Sequence, residues 1–122
     1  MTVVTLVRNE AGCFKAFKAE GHAGFAALGS DIVCAAVTVL LRTALQLLSE
    51  TEGIAIHADV AETGRLSVDV TFAEPEMEQR LICIADFLRT GISALKSDYP
   101  RHVELREQIE NSQLFDGAVA EA

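Results

Sequence analysis

Polar and apolar residues alternate at the start of the chain, change to a helical spacing, and then alternate again. Thr2 to Val7 is rich in β-branched residues and predicts a strand. Asn9-Glu10-Ala11-Gly12 carries turn chemistry, and a second strand is expected from about Cys13 to Glu20. Phe14 and Phe17 fall on opposite parities of that strand, which a β-bulge would reconcile. The segment from Gly21 to Gly29 has no usable period and reads as a loop. Ser30-Asp31 then offers a helix N-cap, and a helix follows to about Leu48. This helix is apolar on nearly every side, so it should be covered on more than one face. Its interior polar or reactive groups, Cys34, Thr38, Arg42 and Gln46, fall four apart in one slowly drifting stripe.

The second half repeats the pattern. Ile54 to Val60 and Leu66 to Phe72 alternate cleanly and predict a hairpin around Ala61-Glu62-Thr63-Gly64. Ile54, Ile56, Ala58 and Val60 should face Leu66, Val68, Val70 and Phe72. Pro75 opens a helix to about Lys96, with Met77, Leu81, Ala85, Leu88, Ile92 and Leu95 as its apolar stripe. Tyr99-Pro100 stops it, and Val103 to Leu105 adds a short edge strand. The expected fold class is α+β: a two-layer β-β-α-β-β-α domain with two helices on an antiparallel sheet of four to five strands. Residues 1–105 form this single domain, and residues 106–122 are expected to fray as an acidic tail.

Composition narrows the function. With 122 residues the chain supports one core and no second domain. Ten basic residues against 18 acidic ones leave a net charge of −8, which disfavours bulk nucleic-acid binding and favours a basic partner. The N-terminus lacks the pattern of a signal peptide, and the apolar run Ile32 to Leu41 falls short of the ~20 residues that span a bilayer. Three widely spaced cysteines do not form a disulfide framework, and a cytoplasmic protein with free thiols is expected. No Cys or His pair has zinc-ligand spacing, and no dinucleotide or phosphate-loop fingerprint is present, so neither metal nor cofactor is expected.

One His and one Cys flank the glycine-rich loop. His22 ends a strand, and Cys34 falls in the first turn of the expected helix. A helix N-terminus stabilises a thiolate, and its free N–H groups can hold an oxyanion. An imidazole beside it can take the thiol proton and return it to a leaving amine. Asp31 can either cap the helix or orient His22, and the residues alone leave both roles open. Cys13 and Cys83 lack this setting and read as packing residues, while His57 and His102 read as solvated.

Gly21-His22-Ala23-Gly24-Phe25-Ala26, followed by Gly29-Ser30-Asp31-Ile32-Val33-Cys34-Ala35-Ala36-Val37-Thr38, resembles the Prp family of ribosomal-processing cysteine proteases. The resemblance extends through Tyr99-Pro100 and covers about residues 1–105. It implies a bacterial endopeptidase that removes a short N-terminal extension from the twenty-seventh protein of the large ribosomal subunit. By the same resemblance Cys34 is the nucleophile, His22 the catalytic histidine and Asp31 the acidic residue of the motif. A homodimer is implied, as is a mobile loop, including Gly21, Gly24, Phe25, Gly29 and Ser30, that orders around substrate. Thr38 stands where the family usually has serine, and Phe25 where tyrosine is common. Two other readings compete on the residues alone: a non-catalytic ribosome-associated peptide-binding module, and a redox-sensing thiol, which lacks an evident resolving cysteine.

Overall fold

The structure is a computed structural model that describes residues 1–21, 28–61 and 65–110, with the backbone alone for 28–31. The described elements are β1 (Thr2–Arg8), β2 (Phe14–Glu20), α1 (Leu28–Glu50), β3 (Ile54–Ala61), β4 (Arg65–Ala73), α2 (Glu78–Asp98) and β5 (Val103–Ile109). A 3-10 turn, Pro75–Met77, leads into α2. The strands form one sheet in the order β3-β4-β2-β1-β5. The expected α+β fold with two helices is present, and the sheet is mixed: β5 pairs with β1 in parallel, whereas the other pairs are antiparallel.

Turn chemistry closes β1 onto β2. The buried Asn9 carboxamide oxygen accepts from the Ala11 and Cys13 amides, both at 2.9 Å. Gly12 completes the turn at φ +95°, a conformation that L side chains rarely adopt. Arg8 donates to the Gly12 carbonyl and reaches Asp86 of α2 at 2.7 Å, which ties the turn to the helix layer.

Two bulges set the side-chain faces. Val7 pairs with Ala16 and Arg8 with Phe14, so Lys15 is the extra residue in β2. This is the bulge that the phenylalanine parities anticipate: both rings are buried, with centroids 6.0 Å apart. In the second hairpin, Val60 meets Leu66, Ala58 meets Val68 and Ile56 meets Val70, as expected. A further bulge between Ala55 and Ile56 then flips the register. Phe72 therefore pairs with Ala55 and is half exposed, while Ala73 takes the buried position beside Ile54. One extra residue moves everything beyond it to the opposite face.

A single core joins the helices to one side of the sheet. Val33, Val37, Leu41, Ala44 and Leu48 of α1 meet Leu81, Ile84, Ala85, Leu88 and Ile92 of α2 over Val4, Leu6, Phe17 and Val68. The anticipated stripe of α2 is thus the buried one. The helices approach closely at Gly91, where a Cβ would lie 3.0 Å from a Leu40 methyl. By length and composition α1 has an apolar window, Ile32–Glu50, long enough to cross a membrane. That window is longer than the run Ile32 to Leu41 because the helix continues beyond Arg42. Here its core line is packed under α2 and the sheet. Ile32, Val39 and Leu47 are exposed, so the described residues do not cover α1 on more than one face.

The cysteines divide differently from expectation. Cys13 is fully buried, as a packing residue should be. Cys83 is exposed, which corrects its reading as a packing residue. At about 100° per residue it sits some 200° round α2 from Leu81, on the outer side. His57 is exposed as expected, whereas His102 is half-buried. Its carbonyl accepts from the Thr2 amide and its own amide donates to Tyr99 O, both at 2.9 Å.

β5 also corrects the expected start of fraying at Arg106. It runs to Ile109, the Glu110 amide donates to the Arg8 carbonyl, and Glu110 lies 3.1 Å from Lys15. Its charged residues suit an edge strand, where charge blocks pairing with other chains.

Burial raises the pKa of Cys13 above the ordinary 9.0, helped by the Glu78 carboxylate and opposed by the Asn9 hydrogen bond and the Arg8 guanidinium. The folded chain therefore holds this proton more tightly than the unfolded chain. Stability from this group is intact below pH 9.0 and is lost as pH rises through the higher folded value. In urea titrations at about pH 8 and pH 10, the wild type is expected to lose more stability than Cys13→Ala. Equal losses would contradict it.

Candidate active site

The site begins where two strand ends meet. β2 runs antiparallel to β1, with Glu20 opposite Val3, so Gly21 arrives beside the first residues of the chain. Its φ is +82°, and a Cβ there would overlap the Met1 carbonyl oxygen. Only glycine lets the backbone pass at this point. The residue after Gly21 is His22.

α1 supplies the opposite wall. It begins at Leu28, so Gly29, Ser30 and Asp31 belong to the helix and not to a loop or cap ahead of it. Cys34 is then the seventh helical residue and lies in the second turn, not the first. An N-cap preference of about 1 kcal/mol biases a helix boundary without setting it. The consequence is chemical. The free amides of a helix are its first four, so the Cys34 amide is not among them, and the terminal field acts on this thiol only weakly. Thus the helix-end activation expected from sequence does not carry over to Cys34 itself.

What surrounds Cys34 instead is a cleft of about 200 Å³. Thr2, Gly21, Cys34, Thr38, Arg42 and Arg65 supply its polar and backbone features. Ala19, Val37, Leu41 and Leu66 form its apolar floor. The thiol is half-buried in the wall, and the Thr2 hydroxyl lies 4.0 Å from its sulfur. Successive members of the four-residue stripe advance about 40° round the helix. Cys34, Thr38 and Arg42 therefore line the cleft, whereas Gln46 has rotated away to donate to the Glu50 carboxylate at 2.9 Å. Neither Arg42 nor Arg65 has an ion-pair partner among the described residues.

Of the anticipated site residues, Gly21, Cys34 and Thr38 come together in this cleft. Gly29 and Ser30 are placed in α1, but its first four side chains, including that of Asp31, lie outside the described residues. His22, Gly24 and Phe25 also lie outside them. Thr2, Arg42 and Arg65 were not anticipated as site residues. For Thr2 a signal was present: it is a polar residue on the same strand parity as Val4 and Leu6. Among the described residues no three His, Cys, Asp or Glu side chains gather as a metal site.

The fold has solved relatives. SMU.848 from Streptococcus mutans superposes with a TM-score of 0.74 at 23% identity, over 90% of this chain and 96% of that one. The essential ribosomal processing protease Prp from S. aureus, in complex with a substrate peptide, superposes at 0.74 with 16% identity. The match covers 88% of this chain and 99% of that one. The same protease with a covalently linked product peptide gives 0.72 and 17% over the same shares. No curated protein matches the sequence. The sequence model of the family described as Cysteine protease Prp matches residues 1–104. That stretch contains every residue lining the cleft, and on this match the chain belongs to the Prp family of cysteine proteases.

Proposed function

We propose that this protease removes the N-terminal extension of a ribosomal precursor protein, with Cys34 as nucleophile and His22 as general base. The reading rests above all on Cys34, a half-buried thiol in the wall of the cleft that the chain reaches at Gly21, one residue before His22. Resemblance to the motif around both residues, and the S. aureus relative with its substrate peptide, support it.

The chemistry follows from these residue types. His22 takes the thiol proton, and the Cys34 sulfur attacks the scissile carbonyl carbon. The tetrahedral intermediate collapses, the C–N bond breaks, and His22 returns the proton to the leaving amine. A thioester remains on Cys34. Water activated by the same imidazole then hydrolyses it, releasing the new carboxylate and restoring the thiol. From Cys34 to Arg42 the stripe spans ~12 Å of helix, the length of three to four extended peptide residues. The apolar floor suits an apolar segment of substrate, and the acidic chain suits a basic client.

The same reading places the enzyme in the cytoplasm as a homodimer without direct nucleic-acid contact. Ile32, Val39 and Leu47, exposed along the outer side of α1, favour a self-associating face. The test incubates the protein with the extended ribosomal precursor of the same organism and maps the new N-terminus by mass spectrometry. A single new terminus near the end of the extension is expected. An intact precursor after prolonged incubation would contradict the proposal.

A further inference from the structure

Thr2 occupies a core-facing position of β1. It shares the parity of Val4 and Leu6, which are 2% and 1% exposed, and is itself only 6% exposed. A valine would fill the same space without a hydroxyl needing a partner. Among the described residues no buried side-chain nitrogen or oxygen lacks one. For Thr2 Oγ1 that partner is the Cys34 sulfur, at 4.0 Å.

The backbone beneath this hydroxyl is held on both sides. The Thr2 amide donates to His102 O at 2.9 Å, and Thr2 is in register with Val103 of β5. On the other side Gly21 packs against Met1 and the Thr2 Cα. The backbone that carries the hydroxyl is thus held at the rim of the cleft. A separation of 4.0 Å is long for a neutral thiol, and an anionic sulfur draws a hydroxyl closer. Active-site hydrogen bonds are commonly loose before substrate binds.

We propose that Thr2 is a positioning residue for Cys34, its hydroxyl donating to the sulfur in the thiolate form. The bond holds the sulfur toward the cleft. This inference rests on Cys34 being the nucleophile.

Thr2→Val is isosteric and removes only the donor, whereas Thr2→Ser keeps it. Both are made in a Cys83→Ser background, so that the exposed thiol does not report, while Cys13 is buried. The rate of alkylation by iodoacetamide is followed against pH, beside kcat and KM for precursor cleavage. Thr2→Val should change the pH profile of alkylation and lower kcat about tenfold, with KM little changed. Thr2→Ser should restore both, and Thr2→Val should melt no lower than the parent. A Thr2→Val protein with the parental pH profile and kcat would overturn the proposal. So would a loss of activity that tracks a lower melting temperature in both variants. Failure of the nucleophile reading shows separately, as cleavage retained by Cys34→Ala, because alkylation needs no substrate.

Discussion

Replacing Cys34 by alanine is expected to abolish cleavage while leaving the fold intact. The sulfur forms the covalent bond to the substrate, and no other described thiol lines the cleft. Loss of an enzyme nucleophile lowers turnover by about 10⁴-fold or more, since only substrate binding and oxyanion stabilisation remain. Serine at this position should be almost as poor, because its hydroxyl is far less acidic than a thiol. The structural cost is small. Cys34 is half-buried, not part of the sealed core, and alanine is the better helix former. His22→Ala should lose turnover comparably, with KM less affected. Cys83→Ser should cleave like the wild type, because its side chain lies on the outer side of α2. Cleavage by Cys34→Ala at a wild-type rate would remove the proposed mechanism altogether.

The second large effect is expected at Gly21, and here stability and activity should fall together. Its φ of +82° costs a residue with a Cβ about 1–2 kcal/mol. The Cβ would also meet the Met1 carbonyl oxygen, which is backbone and cannot rotate aside. Accommodation therefore displaces Met1 and Thr2 from β2, putting at risk the Thr2–His102 hydrogen bond and the contact of Thr2 with the Cys34 sulfur. Gly21→Val should lower the melting temperature by roughly 10 °C, taking both terms together for a domain of this size. Cleavage should drop at least tenfold even at temperatures where the variant remains folded. Thermal unfolding by circular dichroism and the precursor assay measure the two effects separately. A variant with wild-type melting and wild-type cleavage would show that the strands relax around the added methyls at no cost.

The two bulges show how far local pattern reaches. Phe14 and Phe17 lie close in sequence, so their parity conflict is visible on one strand, and the bulge at Lys15 follows from it. The bulge near Ala55 leaves no such trace, because Ile54 to Val60 alternates without fault. There the buried position of Ala73 and the exposure of Phe72 emerge only when both strands are placed together. β5 was underestimated for a related reason. Arg106, Glu107 and Gln108 read as the start of a polar tail, yet an edge strand satisfies its backbone along one side and keeps charge on the other.

The sequence by itself determined the order of elements and the buried stripe of α2, and it singled out Cys34 among three thiols. These depend on spacing within one element or on residue type beside a motif, and both are local quantities. The tertiary structure decided what lies around that thiol. Cys34 sits a turn deeper in α1 than the capping residues imply, since a weak cap preference does not set a helix start. Its described surroundings come from the first residue of β1, the glycine after β2 and the arginines of α1 and β4. Thr2 and Cys34 are 32 positions apart, and their meeting depends on how β1, β2 and α1 pack. Packing is a property of the whole core, which no single stretch of the chain encodes.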